Sequence, residues 1–252
     1  MKKKPNVMLI VIDTLRAQSM SCYGYSLKTS PVIDKYAEEG TQFNWAFSES
    51  PPTQPAFTAI LTGTNPIVNN VVSHILLKDC INGWREKAPR ITRGVKMLPQ
   101  LMRENGYKTY AIDNLVMMRH HFYWGYDEYL YSSIVKGRDK RIEVTADDIN
   151  VNLLPLLKRI KNEDFFLFVH YWDPHAPYVP PKEFQKFMTT KKTKEEMLKE
   201  MVFQNKNLSW EDFVRSDLKK ENLDIRARYC LLYTSDAADE GLGVDLGGRR
   251  II

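Results

Sequence analysis

A hydroxyl, two carboxylates and a histidine stand where apolar runs begin or end. Asp13 follows the run Val7–Ile12, and Asp173 and His175 follow the run Phe165–Tyr171. Thr53 lies in Pro51-Pro52-Thr53-Gln54-Pro55, ahead of Phe57, Ile60 and Leu61 at helical spacing, with Gly63 as a stop. A hydroxyl at a helix start sits beside backbone N–H groups without intrahelical partners and at the positive end of the dipole. That place suits an anionic phosphate or sulfate ester. A carboxylate is a hard ligand for a divalent cation, and an imidazole can move a proton near neutral pH. What these residue types offer by themselves is a place for an anionic ester beside a hydroxyl, two carboxylates and an imidazole. Each has a plainer reading beside that one. Thr53 reads as an N-cap, with Pro55 early in the helix. Asp13 and Asp173 read as turn residues, and His175 as a loop histidine packed by Pro174 and Pro177.

The elements that must position these groups follow from the pattern. Val7–Ile12 and Phe165–Tyr171 are continuous apolar runs, as in strands buried on both faces. Ser30-Pro31 opens a helix through Glu39, stopped by Gly40. Leu98–Glu104 is helical, and Gly106 leads into a strand at Lys108–Ile112. Thr145 with Asp148 marks a helix start, and the helix runs to about Ile160 with Pro155 expected to kink it. Strands alternating with helices predict an α/β fold, a three-layer α/β/α sandwich with a mostly parallel central sheet. Ligands of such sheets sit beyond the carboxyl ends of the strands. Asp13, Asp173 and His175 are expected there, with the Thr53 helix presenting its N-terminus. Asn114, close after the strand at 108–112, is a weaker candidate for the substrate. His170 falls within a strand pattern and reads as a core histidine or a substrate contact. His120 and His121, beside Arg119, read as a solvated loop or as lining of the substrate mouth.

Bulk properties narrow the class. The chain has 252 residues, 43% hydrophobic and 12% aromatic, which is the composition of a globular core. Three cysteines make no disulfide framework, and the short run after Lys2–Lys4 has no cleavage site, so the expected location is cytoplasmic. No apolar stretch approaches the ~18 residues of a membrane span. The net charge of +5 suits a small anionic substrate, but lysines crowd residues 182–221, a charged helical insertion with a solvated face. No nucleic-acid motif is present, and the oligomeric state is left open. The expected organisation is a core at 1–181, the insertion and the start of the next core element at 182–229, and a tail at 230–252. Parts of that tail, Cys230-Leu231-Leu232 onward, back-translate to a sequencing adapter and primer, so it is expected to be foreign to a truncated reading frame.

Three segments in this order resemble the sulfatase family of the alkaline phosphatase superfamily. They are Val11-Ile12-Asp13-Thr14-Leu15-Arg16 running to Cys22-Tyr23-Gly24-Tyr25, Thr53-x-Pro55 with Leu61-Thr62-Gly63, and His170-Tyr171-Trp172-Asp173-Pro174-His175-Ala176-Pro177-Tyr178. Gly106-Tyr107-Lys108-Thr109 and Trp124-Gly125-Tyr126-Asp127 also look like segments of that family. The resemblance implies a metal-dependent hydrolase of sulfuric esters. Asp13 and Thr53 would bind one divalent ion (Ca, Mn or Zn), Thr53 would be the nucleophile, and His175 would bind the anion or protonate the leaving oxygen. Asp173 would orient His175 or its loop.

The departures from the family pattern bear on chemistry. The usual signature has cysteine or serine at position 53, converted to formylglycine, and arginine at position 57; here they are Thr53 and Phe57. No formylglycine is expected, so water must attack a covalent threonine ester, a course familiar for phosphoryl groups. A phosphoesterase or a phosphoryl or phosphoglycerol-type transferase is therefore the second reading. A non-catalytic anion-binding member or inactive fragment is the third. Thr14 stands where the family often has a second aspartate, and the remaining metal ligands are expected beyond this chain.

Overall fold

The computed structural model describes residues 4–73, 90–131, 144–175, 180 and 184–185. The charged insertion, the 230–252 tail and the Ala176–Tyr178 end of the third motif lie outside the described residues. The chain divides into two compact units. The first comprises Met1–Val11, Phe43–Val135 and Val151–Tyr171, and the second Ile12–Gln42, Lys136–Asn150 and Trp172–Ile252.

The first unit is built on a sheet in the order β1-β4-β2-β3, with β1 Val7–Ile12, β2 Lys108–Ile112, β3 Glu128–Leu130 and β4 Phe165–Tyr171. β2 runs parallel to both neighbours, with Lys108 opposite Phe165, Ile112 opposite Val169, and Tyr110 opposite Glu128. The fold class is α/β, as the alternation of strands and helices predicts. All of β4 is buried, as its unbroken apolar run requires. β1 was expected to be buried on both faces but is only half-buried, because it ends the described sheet order and pairs with β4 alone.

Among the helices, α2 is Thr53–Thr62, α3 Pro66–Asn69, α4 Leu98–Glu104 and α5 Ala146–Ile160; α1, Pro31–Glu39, belongs to the second unit. In α5, Leu153, Leu156, Leu157 and Ile160 recur at i, i+3, i+4 and i+7 and are all buried. Each such side chain contributes about 1.5–3 kcal/mol by leaving water. Pro155 does lie inside α5, on the exposed side, and the carbonyl it leaves without a helical donor belongs to exposed Val151. Gly125 permits a close approach: a Cβ there would fall 2.4 Å from the backbone nitrogen of Gln100 in α4, and its φ of +92° also excludes ordinary side chains. That approach seats Tyr126, whose ring stacks on Phe166 and Phe168 of β4.

In the second unit, Asp34 in the first turn of α1 accepts from Ser21 Oγ, the Cys22 N–H and Ser30 Oγ. Burial pushes its carboxyl up, but the hydrogen bonds outweigh this and hold it below the ordinary carboxylate value. The start of α5 forms as its sequence suggests. Asp148 Oδ2 accepts from the Thr145 N–H and hydroxyl, both at 2.9 Å, and Thr145 Oγ1 accepts from the Asp148 N–H.

Candidate active site

Thr53 is the first residue of α2. Pro52 takes the N-cap place, with extended backbone (φ −71°, ψ 143°), so the expected N-cap role for Thr53 shifts by one position. Thr53 is half-buried. The Ala56 N–H donates to Pro52 O at 3.1 Å, while Pro55, in the first turn, gives up no helical bond. At the other end Gly63 adopts φ +63° and closes the helix with a bond from its N–H to Ala59 O.

The buried face of α2 differs from the expected one. Gln54, Phe57, Thr58 and Leu61 are buried, again at i, i+3, i+4 and i+7. Ile60, expected on the core side, falls outside that arc and is 45% exposed. The face therefore carries two polar side chains that need partners. Arg119 and the 3₁₀ helix that it opens, His120–Tyr123, supply them. Arg119 Nε donates to Gln54 Oε1 at 2.8 Å, and another of its guanidinium N–H groups donates to Ser73 O at 3.2 Å. The Thr58 hydroxyl donates to Gln54 O at 2.7 Å and lies 3.0 Å from His121 Nε2. A hydroxyl has one hydrogen, so His121 Nε2–H donates to Thr58 Oγ1, which fixes the imidazole tautomer. Burial pushes the His121 pKa down to about 4, with the positive charges of Arg119 and His120 adding to the effect. His121 is thus a buried neutral imidazole, and the solvated loop expected for it is not found; His120 alone is exposed.

A second buried polar group lies at the carboxyl ends of β2 and β4. Asp113 follows β2 directly; its Oδ1 lies 2.7 Å from His170 Nδ1, and its Oδ2 accepts from Tyr129 OH at 2.6 Å. His170 and Asp113 are 0% and 1% exposed. Burial and the Asp113 charge push the Tyr129 hydroxyl well above its ordinary pKa, so it stays a donor. The His170 ring lies 4.5 Å, centroid to centroid, from Phe57 of α2. His170 is therefore a core histidine held by a carboxylate. Asn114 is fully buried beside Asp113.

In the second unit, Asp13 is buried immediately after β1, and Thr14 beside it adopts a left-handed φ of +58°. Asp173 Oδ2 accepts the Ala146 N–H at 2.8 Å, which anchors the first residue of α5. His175 is half-buried; its N–H donates to Trp172 O and its ring meets Trp172 edge-on. Asp13 and the Thr53 hydroxyl have the hard-oxygen chemistry a divalent ion takes, but such an ion needs four or more ligands. Among the described residues no group of three His, Cys, Asp or Glu is placed to hold one.

Comparison with known proteins decides the family. The sulfatase family model matches residues 5–242. This chain belongs to the sulfatase family. It is similar to mouse (Mus musculus) iduronate 2-sulfatase, 30% identical over 214 residues, which cover 72% of this chain and 37% of that protein. The chain thus spans little more than a third of that relative's length. Its fold matches the C-terminal periplasmic domain of EcEptC from Escherichia coli in complex with Zn, with a TM-score of 0.62 at 18% identity, covering 96% of this chain and 58% of that one. It matches equally the structure of BT1596, a 2-O GAG sulfatase, with a TM-score of 0.62 at 18% identity, covering 95% and 54%. Within the sulfatase frame, Phe57 has a structural explanation. Its side chain is 4% exposed and packs on His170 and, edge-on, on Phe168, a seat where a guanidinium would be desolvated.

Sequence reasoning missed Asp113, Gln54, Thr58 and the burial of Arg119 and His121. Gln54 and Thr58 are four apart in a helix, and that spacing was the one available signal for a shared polar face.

Proposed function

We propose that the protein hydrolyses sulfuric esters, with the Thr53 hydroxyl as nucleophile. The observation that supports this best is the sulfatase match over residues 5–242, which includes Thr53 at the opening of α2. In this reading Thr53 Oγ attacks the ester sulfur and loses its proton to solvent, the S–O bond to the alcohol breaks, and His175 gives the leaving oxygen its proton. Water then attacks sulfur in the Thr53 sulfate ester and gives a proton back to His175, the bond from sulfur to Thr53 Oγ breaks, Oγ regains a proton from solvent, and sulfate leaves. Asp13 and Thr53 would each offer an oxygen to a divalent ion, and any further ligands would have to come from outside the described residues. Such an ion would withdraw charge from the transferring group. The Zn in the Escherichia coli neighbour supports this choice of cofactor class.

A second reading rests on Thr53 itself. A threonine ester can be cleared only by attack on its central atom, a step more usual for phosphoryl than for sulfuryl groups, so phosphate esters are the alternative substrates. Timed hydrolysis of an aryl sulfate, a phosphate monoester and a phosphate diester separates the two. Faster aryl sulfate turnover supports the first reading, and phosphate turnover with an inert sulfate replaces it by the second. Thr53→Ala should lower either rate by at least about 10³-fold. An unchanged rate in Thr53→Ala rejects Thr53 as the nucleophile in both readings, and no turnover of any of the three substrates leaves a non-catalytic, anion-binding role.

A further inference from the structure

Gln54, next to Thr53 in the chain, is held at two atoms. Its side-chain carbonyl accepts from Arg119 and its backbone carbonyl accepts from Thr58. Thr58 is held in turn by His121. Both ends of this grip come from one short 3₁₀ helix, His120–Tyr123, and its N-cap Arg119, and all four side chains are at most 9% exposed. A helix resting on apolar contacts alone can roll by small amounts, because dispersion contacts are weakly directional. Directed hydrogen bonds at i and i+4 resist that roll. Such a roll carries Thr53, the first residue of α2, around the helix axis with the rest of the helix.

We propose that Arg119 and His121 are positioning residues that clamp α2 through Gln54 and Thr58, and so fix the direction of the Thr53 hydroxyl. The inference rests on the reading of Thr53 as nucleophile. The neutral state of His121 fits the part it plays. As the Nε2–H tautomer it donates to Thr58, and Thr58 passes its own hydrogen to Gln54 O. Arg119 closes the other branch with its planar, directional donors.

The test compares Thr58→Val, which keeps the shape and removes the hydroxyl, with Thr58→Ser, which restores it. Leu153→Ala, a core change in α5, is the stability control. The clamp predicts a fall in kcat of about 10- to 100-fold in Thr58→Val, with KM held within about threefold, since misplacing a reacting group acts on the chemical step. Thr58→Ser should recover most of the rate. Leu153→Ala should lower the melting temperature at least as much and leave kcat near wild type. Equal kcat in Thr58→Val and Leu153→Ala overturns the clamp while the nucleophile reading stands, provided Thr53→Ala is inert. A wild-type rate in Thr53→Ala overturns both. Amide hydrogen exchange gives an answer that does not depend on turnover. Thr58→Val should speed exchange at Ala56–Thr58 by about tenfold relative to Leu61 and Thr62. Uniform exchange along α2 in that variant overturns the clamp.

Discussion

Two buried histidines touch α2 from the first unit, and their surroundings are opposite. His121 reaches Thr58 and has Arg119 beside it; His170 packs on Phe57 and faces the Asp113 carboxylate. A cation next to a desolvated imidazole drives it neutral, whereas a carboxylate takes a hydrogen bond from it and is itself held in place. The two rings thus do different work on the same helix. His121 fixes a polar contact at Thr58, and His170 shapes the apolar seat of Phe57, the residue before it. Residue type does not settle which task an imidazole takes; the neighbour from another element does.

The contrast can be broken most strongly at Asp113. Asp113→Ala removes the acceptor for both His170 and Tyr129, and should cost about 3–5 kcal/mol in urea unfolding. Asp113→Asn keeps one acceptor oxygen and should cost less. A loss below about 1 kcal/mol for the alanine variant would mean that the carboxylate does not organise this end of the sheet.

The His121 side of the contrast shows in pH. Its folded pKa, about 4, lies below the ordinary histidine value of 6.5, so the unfolded chain binds the proton more readily. The contribution is complete above pH 6.5 and is lost as pH falls from there toward 4, by about 3 kcal/mol in all. His121→Gln keeps a donor for Thr58 and cannot titrate. The difference in unfolding free energy between wild type and His121→Gln should therefore shift across that window, and a flat difference would contradict the buried neutral imidazole.

The smallest effects compare two tyrosines. Tyr129→Phe removes a 2.6 Å bond to Asp113 and should cost about 2 kcal/mol. Tyr126 is 5% exposed, and its hydroxyl meets no partner among the described residues. Tyr126→Phe should be neutral or stabilise by up to about 1 kcal/mol. Thermal melts of the two variants side by side test the ordering.

The strands at 7–12, 108–112 and 165–171, and the bounds of α1, α2 and α4, were legible because apolar runs there have sharp ends marked by Gly, Pro or Asp. β3 was not legible, since three half-buried residues show no usable period. The family and the place of Thr53 were also legible, because they rest on local motifs. The grip on α2 was not. Gln54 and Arg119 are 65 positions apart, and Thr58 and His121 are 63 apart, so nothing near either member announces the other. Asn114 drew attention as the residue near the strand end, while the carboxylate before it, Asp113, pairs with His170, 57 positions away.

Thr14 carries one more consequence. A β-branched residue with φ of +58° sits where glycine or asparagine is at ease, at a cost of about 1–2 kcal/mol. It follows Asp13 directly. A selection for heat resistance alone should therefore collect Gly or Asn at position 14 early, while a selection for turnover, imposed on the same library, need not follow it there.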